Sequence, residues 1–301
     1  MERIYVVGWD HDKVAIPDLT TSVLARASPL QADPYLKEFV EERKWFTYSD
    51  VDNWEQRTSR KVRGQKVGAL ADMLTDFLYK DRKADGNSVI TKQQTIEGKQ
   101  YLLRGLSVNQ VREIIGGVPF TDGLRKTVME FRTEDVRRTR RNEVGLKQTL
   151  YSDGLGLAVD FQVVRLELDA GGGVPAILEP PREEADAALK KAANGDFSDM
   201  VLSGSVEPFE KWKAFSDYVN GLGLDMASVA VIDDSGTNVQ QMKKVQEAGG
   251  IAVAFNPTDP HRNDFEKAGI PILKGVSLEP FAEIVLADSS NREAVIGRYC
   301  V

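Results

Sequence analysis

The sequence predicts an α/β protein: a doubly wound parallel sheet flanked by helices and interrupted after its first strand by a mostly helical insert. Three observations predict it. Apolar runs such as Arg3-Ile4-Tyr5-Val6-Val7 and Val229-Ala230-Val231-Ile232 lack polar alternation, which is the pattern of strands buried on both faces. Strand-like and helix-like segments alternate through the second half of the chain, as parallel strands with right-handed crossovers require. Both runs also end in acidic residues, Asp10-His11-Asp12 and Asp233-Asp234, and the carboxyl ends of such strands face the crevice where open α/β sheets bind ligands. Two acidic strand ends side by side make a site that demands a cation.

The first strand ends at about Asp10. From Val14 to about Gly116 the texture is of helix-like segments and polar loops, with apolar residues three and four apart in Pro34 to Trp45, Lys66 to Tyr79 and Ser107 to Ile115. Lys83 to Lys92 reads as a loop within this insert. After Gly116-Gly117, Thr121 or Asp122 is expected to cap a helix that runs through Phe131 into the basic stretch Arg137 to Arg141. Leu146 to Tyr151 reads as a strand, Ser152-Asp153-Gly154 as the turn at its end, and Leu155 to Leu168 as a helix. Ala170 to Gly173 is expected to be a loop and Val174 to Leu178 a short strand. Glu183 to Ala193 is an amphipathic helix, Met200 to Leu202 a strand and Phe209 to Val219 a helix. Val239 to Ala248 is the helix after the second acidic run, and Ile251 to Phe255 and Ile270 to Leu273 complete the strands. The expected organisation is a core of residues 1–15 and 116–301, with residues 16–115 as the inserted helical domain.

With 301 residues, the chain can bury a large core. Its 42% hydrophobic and 28% charged content is ordinary for a soluble protein. A net charge of −7 argues against nucleic acid as the main partner, and the Arg137 to Arg141 cluster reads as a solvated face. One cysteine, Cys300, excludes an intrachain disulfide and a thiolate metal cluster; two histidines, His11 and His261, argue against a histidine-rich zinc site. No apolar stretch approaches the roughly 20 residues of a membrane span, and no signal-peptide pattern opens the chain. A cytoplasmic enzyme is the expectation, and a homo-oligomer is left open.

Four patches stand in a fixed order: Asp10-x-Asp12, Ser152, a lysine at 211 or 213, and Asp233-Asp234. With the stretches Gly145 to Gln162, Val229 to Lys243, Ala248 to Thr258 and Leu106 to Leu124, they resemble the haloacid-dehalogenase-like (HAD) hydrolases, within them the phosphoserine-phosphatase-like branch. The resemblance implies a Rossmann-like core with a helical cap, and Mg²⁺-dependent hydrolysis of a small phosphorylated metabolite through an aspartyl-phosphate. It implies Asp10 as nucleophile and Asp12 as general acid/base; i and i+2 leave a strand on one face, which suits that pairing. By the same resemblance Ser152 and a lysine hold the phosphoryl group, with Asp153 and Gly154 beside them. Asp10, Asp234 and the carbonyl of Asp12 would hold Mg²⁺.

Lys211 fits the family's offset to Asp234 without a gap, with Lys213 as the alternative. Ser203-Gly204-Ser205 is a rival to Ser152. The chain departs from the family at Lys13-Val14, where a small residue and a threonine are usual, at Asp233, where glycine is commoner, and at Asn238, where many members carry aspartate. The region where the branch binds serine reads Pro17-Asp18-Leu19-Thr20 and does not place a serine-binding acidic residue, so phosphoserine itself is not supported as the substrate. Two other readings remain at this level: a phosphotransferase or mutase using the same covalent intermediate, and a non-catalytic binding subunit of the same fold.

Overall fold

The computed structural model describes residues 3–32, 37, 40, 66–79, 91–203 and 209–301. Among them the strands are β1 (Val6–Asp10), β2 (Lys147–Leu155), β3 (Ala170–Val174), β4 (Leu178–Glu179), β5 (Val201–Leu202), β6 (Val229–Asp233), β7 (Ile251–Phe255) and β8 (Ile272–Leu273). Between β1 and β2 lie helices α1 (Thr20–Ala25), α2 (Lys66–Tyr79), α3 (Lys92–Leu102), α4 (Val108–Gly117) and α5 (Leu124–Arg140). Then follow α6 (Gly156–Leu166), α7 (Ala185–Ala193), α8 (Lys211–Gly221), α9 (Val239–Glu247), α10 (Asp259–Ala268), α11 (Glu279–Leu286) and α12 (Arg292–Tyr299). Six strands form one parallel sheet in the order β3-β2-β1-β6-β7-β8, and β4 and β5 form a separate antiparallel ribbon. The order reverses between β1 and β6, so the crevice outside their carboxyl ends is the sheet's topological switch point.

Period-two alternation sorts the two faces. Val7 and Trp9 of β1, with Ala230 and Ile232 of β6, pack under α5, α11 and α12, where Trp9, Phe131 and Phe281 meet with ring centroids 5.4–6.2 Å apart. Val6 of β1, with Val229 and Val231 of β6, faces α8, α9 and α10, among Phe215, Met242 and Phe265. Gly8 belongs to this second face, and there Phe215 leaves no room for a side chain: a Cβ on Gly8 would lie 2.8 Å from the ring. Asp10 and Asp233 share the parity of this face, so both carboxylates emerge on the side of α8. A third apolar cluster joins α1 to α4 with Leu155 of β2 and Ala158 of α6.

The structure differs from the sequence reading at several elements. Ala170 to Gly173 is an edge strand, not a loop, because glycine lets the chain approach its neighbours closely. A Cβ on Gly171 would stand 2.4 Å from Val163 and 2.6 Å from the Leu150 carbonyl, so helix α6 sits directly on this strand. Ser152-Asp153-Gly154 is not a turn but the irregular end of β2, where the register shifts between Tyr151 and Leu155. Neither Thr121 nor Asp122 caps α5; its N-cap is Gly123 at φ 76°. Residues 200–202 do not join the main sheet, since β5 pairs with β4. Helices α1 and α3 are additional to the sequence reading, and α3 begins at Lys92, the last residue of the expected loop. The expected helix from Pro34 to Trp45 lies outside the described residues except at 37 and 40, and so does the loop over 83–90.

Candidate active site

Parallel pairing brings the functional strand ends to one level. Asp10 is in register with Tyr151, the residue before Ser152, and Trp9 is in register with Ile232, the residue before Asp233. Helix α8 delivers the lysine. Its first residue, Lys211, is buried, and its Nζ donates to Asp10 Oδ1 at 2.6 Å and to Asp233 Oδ2 at 2.8 Å. Lys213, the alternative, points outward and pairs with Asp217 at 2.6 Å. The seating of α8 follows from its own aromatics: Phe215 packs edge-on against Tyr151 and Trp212, with centroids 5.9 and 5.8 Å apart.

One cavity of about 60 Å³ collects the residues singled out in the sequence. Asp10, Asp12, Lys211 and Asp234 line it, as do Ser152, Asp153 and Gly154. Lys13 and Lys99 also reach it, the latter from α3 of the insert. Ser203 is not among its walls; its N–H donates to the Ile177 carbonyl at 2.9 Å, at the end of β5, and 204–205 lie outside the described residues. Ser152 is buried, and its Oγ accepts from the Gly154 N–H at 2.9 Å, which leaves the hydroxyl proton free to be donated.

Asp10, Asp233 and Asp234 each offer an oxygen within 4.8 Å of the others, and all three are buried. Of these, Asp233 had no role assigned from the sequence. Its Oδ1 accepts from the Ser235 N–H at 2.8 Å and from Asn238 Nδ2 at 3.1 Å; its Oδ2 accepts from Lys211 and from Asn238 Nδ2 at 3.0 Å. Asn238 is held in turn by Trp212, whose Nε1 donates to Oδ1 at 2.9 Å. The amide at 238 therefore donates to a neighbouring carboxylate, and the same place holding aspartate would set two carboxylates against each other. With Asp233 saturated by donors, Asp10 and Asp234 retain oxygens for a cation. Oxygen donors of this kind suit a hard ion such as Mg²⁺.

The charges are tightly linked. Burial and the charge of Asp233 push the Asp10 carboxyl well up, while Lys211 pulls against them. Burial opposes the charge on Lys211, but Asp10 and Asp233 outweigh it and hold the ammonium well above its ordinary value. Asp234 is pushed up to about 7 by burial and by Asp233, with Lys13 and Lys211 opposing.

Asp12 lines the cavity and is also tied to the insert. Its Oδ1 accepts from the Thr20 N–H at 2.8 Å and also from the Thr20 hydroxyl, so α1 begins on a carboxylate supplied from the β1 loop. Thr20 Oγ1 also lies 2.9 Å from His11 Nδ1. Sequence reasoning treated Val14 as a lost threonine; Thr20 supplies a hydroxyl from six residues further along.

No family model matches the chain, and no curated protein matches it. Solved structures do. A phosphoserine phosphatase determined as an analogue of its phospho-aspartyl intermediate superposes with a TM-score of 0.57 at 15% identity, over 94% of this chain and 100% of that one. A HAD family hydrolase from Salmonella enterica serovar Typhi gives 0.59 at 12% identity, over 96% and 73%. A substrate-bound phosphoserine phosphatase gives 0.55 at 15% identity, over 95% and 100%. Among the described residues no helix is long and apolar enough to cross a membrane. Strand order, the switch-point crevice and these superpositions together give the chain the haloacid-dehalogenase-like fold, in the form seen in phosphoserine phosphatases.

Proposed function

We propose that the protein is a Mg²⁺-dependent phosphatase that hydrolyses a small phosphomonoester through an aspartyl-phosphate. The observation that carries this reading is the placement of Asp10 at the switch point, fixed by a buried lysine and opening onto the same cavity as Asp12, Ser152 and Asp234. Asp10, Asp234 and the Asp12 carbonyl would hold the ion, which when bound supplies positive charge to the phosphoryl oxygens and favours the ionised form of Asp10.

The chain's own residues account for the rest. The Asp10 carboxylate forms a bond to phosphorus as the ester P–O bond breaks, and Asp12 gives its proton to the departing alkoxide. Water then attacks the acyl phosphate and yields its proton to Asp12, releasing phosphate and restoring Asp10. Ser152 donates its hydroxyl, and Lys211 its ammonium, to the phosphoryl oxygens, charge stabilisation that is strongest where water is excluded. The helical insert, with Lys99 at the cavity, serves as the cap that closes the site and selects the substrate.

Hydrolysis of p-nitrophenyl phosphate by wild type and Asp10→Asn, with Mg²⁺ and with chelator, tests the reading. Wild type with Mg²⁺ is expected to turn over, and loss of either the ion or the carboxylate to lower the rate by on the order of a thousandfold. Equal rates for wild type and Asp10→Asn would sink the proposal.

A further inference from the structure

We infer that Lys13 is the resident counter-ion of the acidic crevice: its ammonium holds the charge position beside Asp234 that a divalent cation takes on binding, so this lysine sets the protein's metal affinity. The inference rests on the proposed reading that the crevice binds such an ion. Three observations support it. Lys211 is engaged by Asp10 and Asp233, and among the described residues the lysine ion-paired with Asp234 is Lys13, with Nζ 4.0 Å from Oδ2. With its carboxylates ionised, the crevice sets Asp10, Asp12, Asp153, Asp233 and Asp234 against Lys13, Lys99 and Lys211, so it is less negative toward a dication than it would be without Lys13. And the Lys13 backbone is held at φ 60°, a left-handed conformation that side chains rarely adopt.

The two lysines differ in freedom. Lys211 is enclosed, with 7% of its side chain exposed, whereas Lys13 has 31% exposed and room to swing into solvent when a stronger cation arrives. The geometry of the loop supports the same view. Ala15 N–H bonds the Asp10 carbonyl at 3.2 Å and Ile16 N–H the His11 carbonyl at 3.1 Å, so the backbone on either side of Lys13 is pinned while its side chain is the movable part.

Titration calorimetry of MgCl₂ into wild type, Lys13→Met, Lys13→Gly and Lys13→Arg tests this without reference to turnover. A unit charge about 5 Å from a divalent ion, screened as in bulk water, changes affinity by roughly tenfold. Lys13→Met is therefore expected to bind Mg²⁺ about tenfold more tightly than wild type, with Lys13→Arg close to wild type. Lys13→Gly, which also relieves the backbone, keeps the test open should the methionine variant fold poorly. Unchanged or weaker binding in both neutral variants would overturn the inference while leaving the metal site standing. Absence of Mg²⁺ binding in wild type and variants alike would overturn the inference together with the metal-dependent reading beneath it.

Discussion

Asp12 receives two hydrogen bonds from one residue, and that residue tells what the carboxylate is prepared for. The Thr20 hydroxyl donates to Asp12, so toward His11 it can only accept; His11 therefore carries its proton on Nδ1 and leaves Nε2 bare. Nε2 is buried and has no hydrogen-bond partner among the described residues, and burial lowers the imidazole pKa, with Asp12 opposing it and Lys211 adding to the effect. A neutral histidine, a threonine and the proposed acid/base thus form one fixed chain. Thr20→Val keeps the shape and the backbone N–H but removes the hydroxyl. Because general acid/base catalysis is worth about a hundredfold or more, misorienting Asp12 is expected to lower kcat roughly tenfold with KM nearly unchanged. Thr20→Ser should keep most of the activity. Steady-state kinetics check this, and a loss confined to KM would mean that Thr20 serves substrate binding instead. Sequence spacing places Asp10 and Asp12 two residues apart, but it does not show which hydroxyl orients them, because the partner is fixed by how α1 docks on the β1 loop.

At the scale of elements, the position of Lys211 depends on how closely α8 lies on the sheet. Gly8 allows the Phe215 ring onto β1, and the Trp212–Asn238–Asp233 chain ties the start of α8 to the end of β6. Gly8→Ala would force a methyl group into that ring, so the helix must shift or the strand must bend. The expected cost is about 1–3 kcal/mol, the usual penalty for overpacking a core. Because Lys211 rides on the displaced helix, activity is expected to fall as well. Urea unfolding and kcat measured on the same variant check both, and a stable variant with full activity would show that α8 tolerates the shift. Strongly patterned elements were the most legible: the buried strand Ile251–Phe255 and the helix Lys66–Tyr79 lie where hydrophobic patterning puts them. Strand β3 was not legible, since three consecutive glycines carry no hydrophobic pattern and form a strand only because α6 and β2 need the space. Helix α3 did carry a signal. Thr91 and Gln94 form a capping box, each side chain bonding the other's backbone N–H, and that four-residue pattern stands in the sequence.

For the molecule as a whole, the doubly wound order gathers residues 10, 152, 211 and 234 into one crevice, and that much was readable from four patches in a fixed order. The charge balance was not readable, because it depends on burial that only the fold creates. Gathering Asp10, Asp233 and Asp234 inside the protein sets function against stability, and the conflict has a measurable sign. Asp234 is pushed up to about 7, first by burial and then by Asp233. Unfolded, it titrates near 4. Between these values the folded protein keeps a proton that the unfolded chain has released, so stability falls as pH rises. The contribution is fully present below about pH 4 and is lost as pH passes through about 7. Asp234→Asn cannot release a proton in either state. With chelator present, the melting temperature of wild type relative to Asp234→Asn is therefore expected to decline from pH 4 to pH 7 and then to level. Taking the difference between the two proteins cancels groups of opposite sign, such as Glu134. Burial alone would raise its pKa, but Arg138 and Arg137 hold it below the ordinary range. Mg²⁺ should lift wild type most where the decline is complete, because the ion binds the ionised site and only the folded chain presents it. A flat difference across this range would mean that Asp234 is solvated or paired well enough to ionise at its ordinary pKa, and the acidic crevice would then carry no folding cost for the metal to offset.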